Sequence, residues 1–337
     1  MVERGHSFVS VHTFIAFSFL SDQRKMVHGL SITAPRTELD ELERERREMT
    51  DKEREQSIAD VYGTRKPVQE TPELVADMLR DMQEALDKLE GDRQSHEYQT
   101  ARWKLPDLVN SDDFHLMFLR SEFFDAKEAA KKMVKYWKTK VKLFGEDVAY
   151  RPKVRLDDLS DEDLATLRNN GLVLLPDKDG ANRTIIVSTR QNYIYDEKEN
   201  IARLYWYLFE VASEDVSTQQ NGLAWILFDD GEYPIRHHYD RKLDRLIMRT
   251  IDSFPIRIVG VHHCFDDKRM RIIIPFVLFM LGNRIKARYR YYDGRDDTRE
   301  SGLHSCGIPM GILPVRMGGD LEFSPVSWIE DRRGLEA

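Results

Sequence analysis

The sequence contains few cysteines, no excess of positive charge and no long hydrophobic run. It has two cysteines, Cys264 and Cys306, so it can form neither a disulfide framework nor a four-cysteine zinc site, and a reducing compartment is indicated. The net charge is -8, which argues against wholesale binding to nucleic acid. The strongest apolar run covers residues 272–281, about half of the ~20 residues that a membrane-spanning helix needs.

Motifs of the common catalytic machineries are also missing. Neither the G-x-S-x-G nucleophile elbow nor the G-x-x-x-x-G-K-[ST] phosphate loop occurs. The segment from His262 to Asp267 does contain metal-ligand and nucleophile residue types, including His263 and Cys264, so an enzyme that uses it stays open as an alternative. Consecutive histidines on a strand point to opposite faces, which disfavours a shared metal. We expect no catalytic residue, no metal and no cofactor.

The composition describes a globular protein with charged extensions. Of 337 residues, 41% are hydrophobic and 33% are charged, and the mean hydropathy is -0.55. This length can bury a sizeable core. We predict a charged or disordered extension over residues 1–65, a helical subdomain over residues 70–148 and an α/β domain over residues 153–328.

Within the extension, residues 8–20 form an apolar run diluted by polar residues, without a clear cleavage site. A secretory signal is one interpretation, and we favour an extension upstream of a natural start at Met26. Residues 38–56 are nearly all charged and predict a solvated helix or a disordered arm. Such an arm is a candidate docking site for a protein partner.

Capping signals mark the helices of the second segment. Thr71 precedes Pro72, a favoured first helical residue, and apolar residues then recur at helical spacing. Ser111 and Asp125 are predicted caps of two further helices, and Gly145 is the predicted end of the second of these. This segment therefore predicts a helical subdomain.

Strands and helices alternate from about residue 160 onward. The apolar run LAWILF, residues 223–228, is typical of a strand covered on both faces. An amphipathic helix over residues 243–254 and a strand over residues 256–261 follow, which together indicate parallel strands joined by a crossover helix. The apolar run at residues 272–281 then leaves the carboxyl end of a strand, where open α/β sheets usually bind ligands.

Four cations follow that run at alternate positions. Arg284, Lys286, Arg288 and Arg290 alternate with apolar or aromatic residues, and a period of two predicts a strand with one cationic face. An apolar segment beside a cationic edge suits an anionic amphiphile. We expect these four residues to contact a lipid headgroup or a membrane surface.

Several segments, in order, resemble the CRAL-TRIO family of lipid-binding proteins. FLRSEFFDAKEAAKKMVKYW, residues 118–137, is similar to the family's amino-terminal helical subdomain. The order then continues with LPDKDGANRTIIV, LAWILFDD, SFPIRIVGVHHCF, the apolar run and GIPMGILPVRMGGDLEF, in which Leu313 and Pro314 precede Gly318 and Gly319. The resemblance covers residues 107–323. It departs from the family at His262, His263 and Cys264, where many members have asparagine, alanine and proline, and at Pro275 within the apolar run.

The resemblance implies a mixed, largely parallel sheet with helices around an apolar cavity, closed by a gate helix. The gate would fall on residues 272–281. Trp225 and Leu227, or Ala224, Ile226 and Phe228 on the opposite face, would form the cavity floor. Members that bind phosphatidylinositol use a lysine after the gate to meet the headgroup phosphate, and Lys286 or Arg288 falls nearest. The gate residues expected to contact lipid are Ile273, Phe276, Val277, Phe279 and Met280.

We therefore expect a soluble cytoplasmic protein that holds one phospholipid, such as phosphatidylinositol, or another lipophile and exchanges it during transient contact with membranes. The alternative is a scaffold that senses a lipid or grips a partner without transferring lipid.

Overall fold

A computed structural model describes residues 49–89, 93–231, 240–267, 269–271, 274, 278, 283–294 and 296–337. The chain divides into two units, the larger of which is Thr50–Leu281 with Ile285–Ala337. The account below concerns this larger unit. Within the described ranges, no helix combines the length and the hydropathy that crossing a bilayer requires.

The amino-terminal helices begin at the residues that the capping signals predict. Thr71 caps a helix at the backbone N–H of Leu74, Ser111 caps one at Phe114, and Asp125 caps one at Lys127 and Glu128. Gly145, with φ of +70°, breaks the last of these, but the helix resumes beyond it. In order, the helices are α1 (Asp51–Val61), α2 (Pro72–Lys88), α3 (His96–Lys104), α4 (Pro106–Val109), α5 (Asp112–Ser121) and α6 (Ala126–Ala149), with a 3-10 turn at Arg93–Ser95.

The α/β part places a five-stranded sheet among helices, as predicted. It comprises α7 (Asp161–Arg168), β1 (Leu172–Leu174), β2 (Thr184–Ser188), α8 (Lys198–Ser213), α9 (Val216–Asn221), β3 (Leu223–Asp229), α10 (Arg241–Ser253), β4 (Ile258–Phe265), α11 (Asn283–Arg288), β5 (Tyr289–Asp293), α12 (Asp296–Ser305) and α13 (Pro325–Glu336). Short 3-10 turns lie at Leu156–Asp158, Arg190–Asn192, Met310–Ile312 and Val315–Met317.

The sheet has the order β1-β2-β3-β4-β5 and is mostly parallel. Strands β1 and β2 are antiparallel, whereas β2 to β5 pair in parallel. The predicted crossover from β3 through α10 to β4 is confirmed by the parallel register in which Trp225 lies opposite Val261. The ends of β3 and β4 therefore share one edge of the sheet, with Asp229 opposite Phe265.

Apolar side chains pack on both faces of the sheet. On one face, α8 supplies buried aromatic residues to a core that is continuous with the amino-terminal helices. Trp206 packs edge-on against Phe254 at 5.1 Å, and Tyr207 packs against Trp328 at 6.4 Å. Both rings belong to the same buried core as Phe209, which also packs against Phe254, at 5.6 Å. On the other face, Leu303, Ile308, Leu313 and Met317 cover the sheet.

Helix α1 is more buried than its composition predicts. Thr50 caps it in a reciprocal capping box with Glu53, but Ser57, Asp60 and Val61 are buried at its carboxyl-terminal end, which contacts β4. The predicted solvated character therefore fits only its first turns. The predicted bounds of the extension and of the two domains stay predictions.

Candidate functional site

The two faces of β3 are packed to different extents. Ala224, Ile226 and Phe228 are 0%, 0% and 1% exposed and lie in the cluster covered by the carboxyl-terminal segment. Trp225 and Leu227 point to the opposite face and are only half-buried, although β3 is the central strand of the sheet. A tightly packed interior would bury such large side chains completely. The face that Trp225 and Leu227 form is therefore apolar and less completely packed than the opposite face.

The described part of the predicted gate lies against this same face. The chain is helical at Met270, Ile274 and Leu278, which are spaced by four residues and so share one side of a helix. All three belong to a cluster with Val261, Phe265, Tyr289, Trp225 and Leu227, and Ile274 is fully buried in it. The predicted lipid contacts Ile273, Phe276, Val277, Phe279 and Met280 lie outside the described residues. What the structure brings together is Trp225, Leu227 and one side of the apolar segment.

Three buried polar residues interrupt the apolar face near the carboxyl ends of the strands. His263 Nε2 lies 2.6 Å from Asp229 Oδ2, and His263 Nδ1 lies 2.5 Å from the Tyr289 hydroxyl. We call Asp229, His263 and Tyr289 the polar array. Sequence reasoning noted His263 alone, because nothing in the local pattern connects it with Asp229 or with a tyrosine from a later strand.

His262 points to the other face, as predicted for consecutive strand residues. Its Nδ1 lies 3.0 Å from the Tyr292 hydroxyl, and its ring leans back over Gly260, where a Cβ would lie 2.7 Å from Nε2. Burial, aided by the positive charges of Arg183 and Arg290, lowers the pKa of His262 to about 3. His262 is therefore neutral in the fold at physiological pH.

This neutral histidine predicts a loss of stability in acid. Between pH 6.5 and about 3 the unfolded chain binds a proton at His262 that the folded chain does not, so stability falls as the pH falls through this window, by about 1.4 kcal/mol per pH unit. We expect His262→Gln to lose less stability than the wild type between pH 7 and pH 5, measured by urea unfolding. The exposed His304, changed to Gln, is the control and should behave like the wild type. Equal losses in wild type and His262→Gln would contradict the assignment.

The structure buries Cys264, which is the candidate nucleophile of the enzyme alternative. Cys264 is completely buried on the face opposite His263, and burial raises the pKa of its thiol to about 12. A protonated thiol is a poor nucleophile at neutral pH. Within the described ranges, no group of three histidine, cysteine or acidic side chains could hold a metal ion.

The predicted cationic strand is wrong. Residues 283–288 form α11, and the strand β5 begins only at Tyr289, so the four cations do not share one strand face. The part of the alternation that falls in α11, residues 284–288, is too short to distinguish a strand from one and a half turns of helix. Lys286 is exposed, whereas Arg288 pairs with Asp60 at 2.7 Å and Arg290 donates to the backbone oxygens of Ala287 and Tyr289. The role of these cations, including Arg284, in headgroup or membrane contact stays a prediction.

A cluster of arginines that the sequence did not reveal lies at the amino ends of the parallel strands. The Asp60 carboxylate at the end of α1 accepts from Arg288 at 2.7 Å and from Arg65 at 3.3 Å. Arg183 donates at 2.6 Å to the backbone oxygen of Asp60. Arg257, just before β4, lies next to them. We call Arg65, Arg183, Arg257 and Arg288 the arginine cluster.

Arg257 differs from the other members of the arginine cluster, each of which forms an ion pair with a nearby aspartate. Its guanidinium lies 4.3 Å from the centre of the Phe123 ring, which Arg65 approaches at 3.5 Å, and its buried Nε has no hydrogen-bond acceptor among the described residues. Burial lowers the pKa of Arg257 to about 10. A cavity of about 30 Å³ beside it is lined by residues that include Arg65, Arg257 and Asp60. This site therefore favours an anionic group, and Asp60 now supplies one.

Comparisons with known proteins add little to this picture. No family model matches the chain, and no curated protein is similar to it. Among solved structures, the crystal structure of Sfh5 is similar to this chain with a TM-score of 0.43 and 7% sequence identity, over 86% of this chain and 100% of that chain. A likeness this low supports no conclusion about function, so the functional argument rests on the site itself.

Proposed function

We propose that this protein binds one lipid or other lipophile in an apolar chamber above the sheet and exchanges it with membranes, without covalent chemistry. The observation that carries this proposal is the half-buried face of Trp225 and Leu227 in the centre of the sheet, opposite Ile274 and Leu278. Each methylene of an acyl chain that enters such a chamber gains about 0.8 kcal/mol relative to water. The gain is similar to that in a bilayer, so a lipid can exchange between the two.

The finer part of the proposal concerns the headgroup. An anionic phospholipid such as phosphatidylinositol would place its phosphate at the arginine cluster, where Arg257 donates through Nη2 to the Gln220 backbone but its Nε has no acceptor among the described residues, and where Arg288 and Arg65 already hold a carboxylate. Guanidinium groups bind phosphate through charge-assisted hydrogen bonds. Because the present cavity has room for little more than a water molecule, the Asp60 side chain has to move when a phosphate enters.

Membrane contact would be brief under this proposal. The protein would act in the cytoplasm and touch anionic leaflets through exposed cations such as Lys286, each worth about 1 kcal/mol near the surface. A few such contacts orient the protein without holding it there. Release from the membrane is a requirement for a carrier.

The test is lipid uptake and transfer. Purified protein is incubated with phosphatidylcholine liposomes that contain phosphatidylinositol, separated by gel filtration and extracted for lipid. We expect about one lipid per chain, enriched in phosphatidylinositol, and movement of labelled lipid from donor to acceptor vesicles. Protein that stays free of lipid would contradict the proposal, and protein that binds liposomes but transfers no lipid would favour the sensing scaffold.

A further inference from the structure

The polar array consists of one buried residue from each of three strands on a mostly apolar face, which also carries the buried Ser188 of β2. Asp229 ends β3, His263 lies near the end of β4, and Tyr289 begins β5. Their exposed fractions are 5%, 7% and 7%. Their neighbours on this face are Val261 and Phe265 of β4 and Ile274 of the apolar segment. Polar groups in such surroundings cost free energy unless they are hydrogen-bonded.

The hydrogen bonds within the polar array indicate which of its atoms can still accept a hydrogen bond from a ligand. In the neutral tautomer with its proton on Nε2, His263 donates to the Asp229 carboxylate and its Nδ1 is an acceptor. The Tyr289 hydroxyl must then donate to Nδ1. The phenol oxygen keeps a lone pair that can accept one more hydrogen bond. Burial raises the pKa of Tyr289, so this acceptor is a neutral phenol and not a phenolate.

A donor without a partner lies in the same row of the sheet. Trp225 is opposite Val261, and Val261 is opposite Tyr289, so the three residues lie side by side on neighbouring strands. The indole Nε1 of Trp225 is buried and has no acceptor among the described residues. A buried indole N–H normally finds a hydrogen-bond partner. The face over which we place the lipid thus offers one neutral acceptor and one neutral donor.

We propose that the polar array and Trp225 form a polar subsite that binds a hydroxyl group of the lipophile, with Tyr289 accepting from the hydroxyl and Trp225 donating to it. This inference rests on the proposed function, and it names the ligand class as a hydroxyl-bearing lipophile. Neutral donors and acceptors match an alcohol better than a phosphate, which the arginine cluster would serve. Arg257 and His263 are six residues apart along β4, about 20 Å at strand spacing, so the two sites are separate.

A matched pair of probes separates the hydroxyl group from the rest of the ligand. Octadecanol and octadecyl methyl ether have the same alkyl chain, but the ether cannot donate to Tyr289. Sites built to bind a hydroxyl group reject analogues that lack it, because buried polar groups are left unpaired. We expect the full-length protein, incubated with liposomes that contain both probes in equal amounts, to carry at least about tenfold more alcohol than ether.

Single substitutions test which residues produce the preference for the alcohol over the ether. Tyr289→Phe keeps the ring and removes the acceptor, so we expect the ratio to fall to within about twofold of unity while total loading is retained. Trp225→Phe removes the donor and should lower the ratio by a smaller factor, and it serves if Tyr289→Phe fails to fold. Tyr291→Phe is the control, because this tyrosine lies on the same strand with 51% of its surface exposed, and it should keep the wild-type ratio.

The outcomes separate this inference from the proposed function. Uptake of both probes in equal amounts by the wild type would overturn the hydroxyl subsite and leave lipid binding intact. If the wild type takes up neither probe and no membrane lipid, both the hydroxyl subsite and the proposed lipid binding are overturned. A wild-type ratio in Tyr289→Phe and Trp225→Phe would show that the preference arises elsewhere and would overturn the assignment to these residues.

Discussion

Replacing Asp60 by asparagine is expected to lower the free energy of unfolding by about 3 kcal/mol. The Asp60 side chain is 3% exposed and accepts from Arg288 and Arg65, while its backbone oxygen accepts from Arg183. Without the carboxylate, Arg288 and Arg65 lose their anion beside the buried Arg257, and only Arg183 keeps an ion pair, with Asp179 at 2.6 Å. Urea unfolding monitored by circular dichroism measures the change.

The control for this variant is an exposed ion pair. Asp77 pairs with Arg80 at 2.8 Å, and both side chains are more than half exposed, so Asp77→Asn should change stability by less than about 0.5 kcal/mol. A similarly small effect of Asp60→Asn would contradict the idea that the arginine cluster depends on an internal anion.

Inorganic phosphate should partly restore the Asp60→Asn variant. A ligand that binds only the folded state raises stability in proportion to the logarithm of its concentration. We expect millimolar phosphate to raise the melting temperature of the variant more than that of the wild type, in which Asp60 occupies the site. Equal shifts in the two proteins would indicate a general salt effect.

Replacing Leu227 by tryptophan is expected to reduce lipid loading at least tenfold with little change in stability. Leu227 is half-buried over the proposed chamber, so a larger side chain would fill the space that the lipid needs. Ile226, its neighbour on the same strand, is fully buried on the opposite face, which the carboxyl-terminal segment covers. We therefore expect Ile226→Trp to destabilise the fold by about 1–3 kcal/mol. Lipid extracted after liposome incubation and urea unfolding give the two readouts.

This pair of variants tests the difference between the faces directly. If Leu227→Trp destabilises the protein as much as Ile226→Trp, the face of Trp225 and Leu227 is packed solid. If Leu227→Trp is stable and still loads lipid like the wild type, the lipid binds elsewhere.

Local signals in the sequence predicted much of the fold. The caps at Thr71, Ser111 and Asp125 and the buried strand β3 depend on neighbouring residues, and each is confirmed. The prediction of a strand over the four cations was wrong for residues 284–288, because so short an alternation fits a helix equally well, and contacts made elsewhere in the chain decide between them.

The candidate site depended on contacts that no local pattern records. Asp60 and Arg288 are separated by 228 positions, and nothing in the sequence around Asp60 indicated that its carboxylate would be buried. His263 was visible as a polar residue at a strand exit, but its partners Asp229 and Tyr289 come from two other strands. The sequence could propose both Trp225 and Ile226 for the chamber floor, and only burial distinguishes the two faces.

Native mass spectrometry of the protein purified from its own cells tests the central claim most directly. If an apolar chamber above Trp225 and Leu227 holds a lipid, the intact protein should carry one additional mass in the lipid range, and Leu227→Trp should lose it. A wild-type spectrum that shows the bare chain alone, even after incubation with liposomes, would contradict the account.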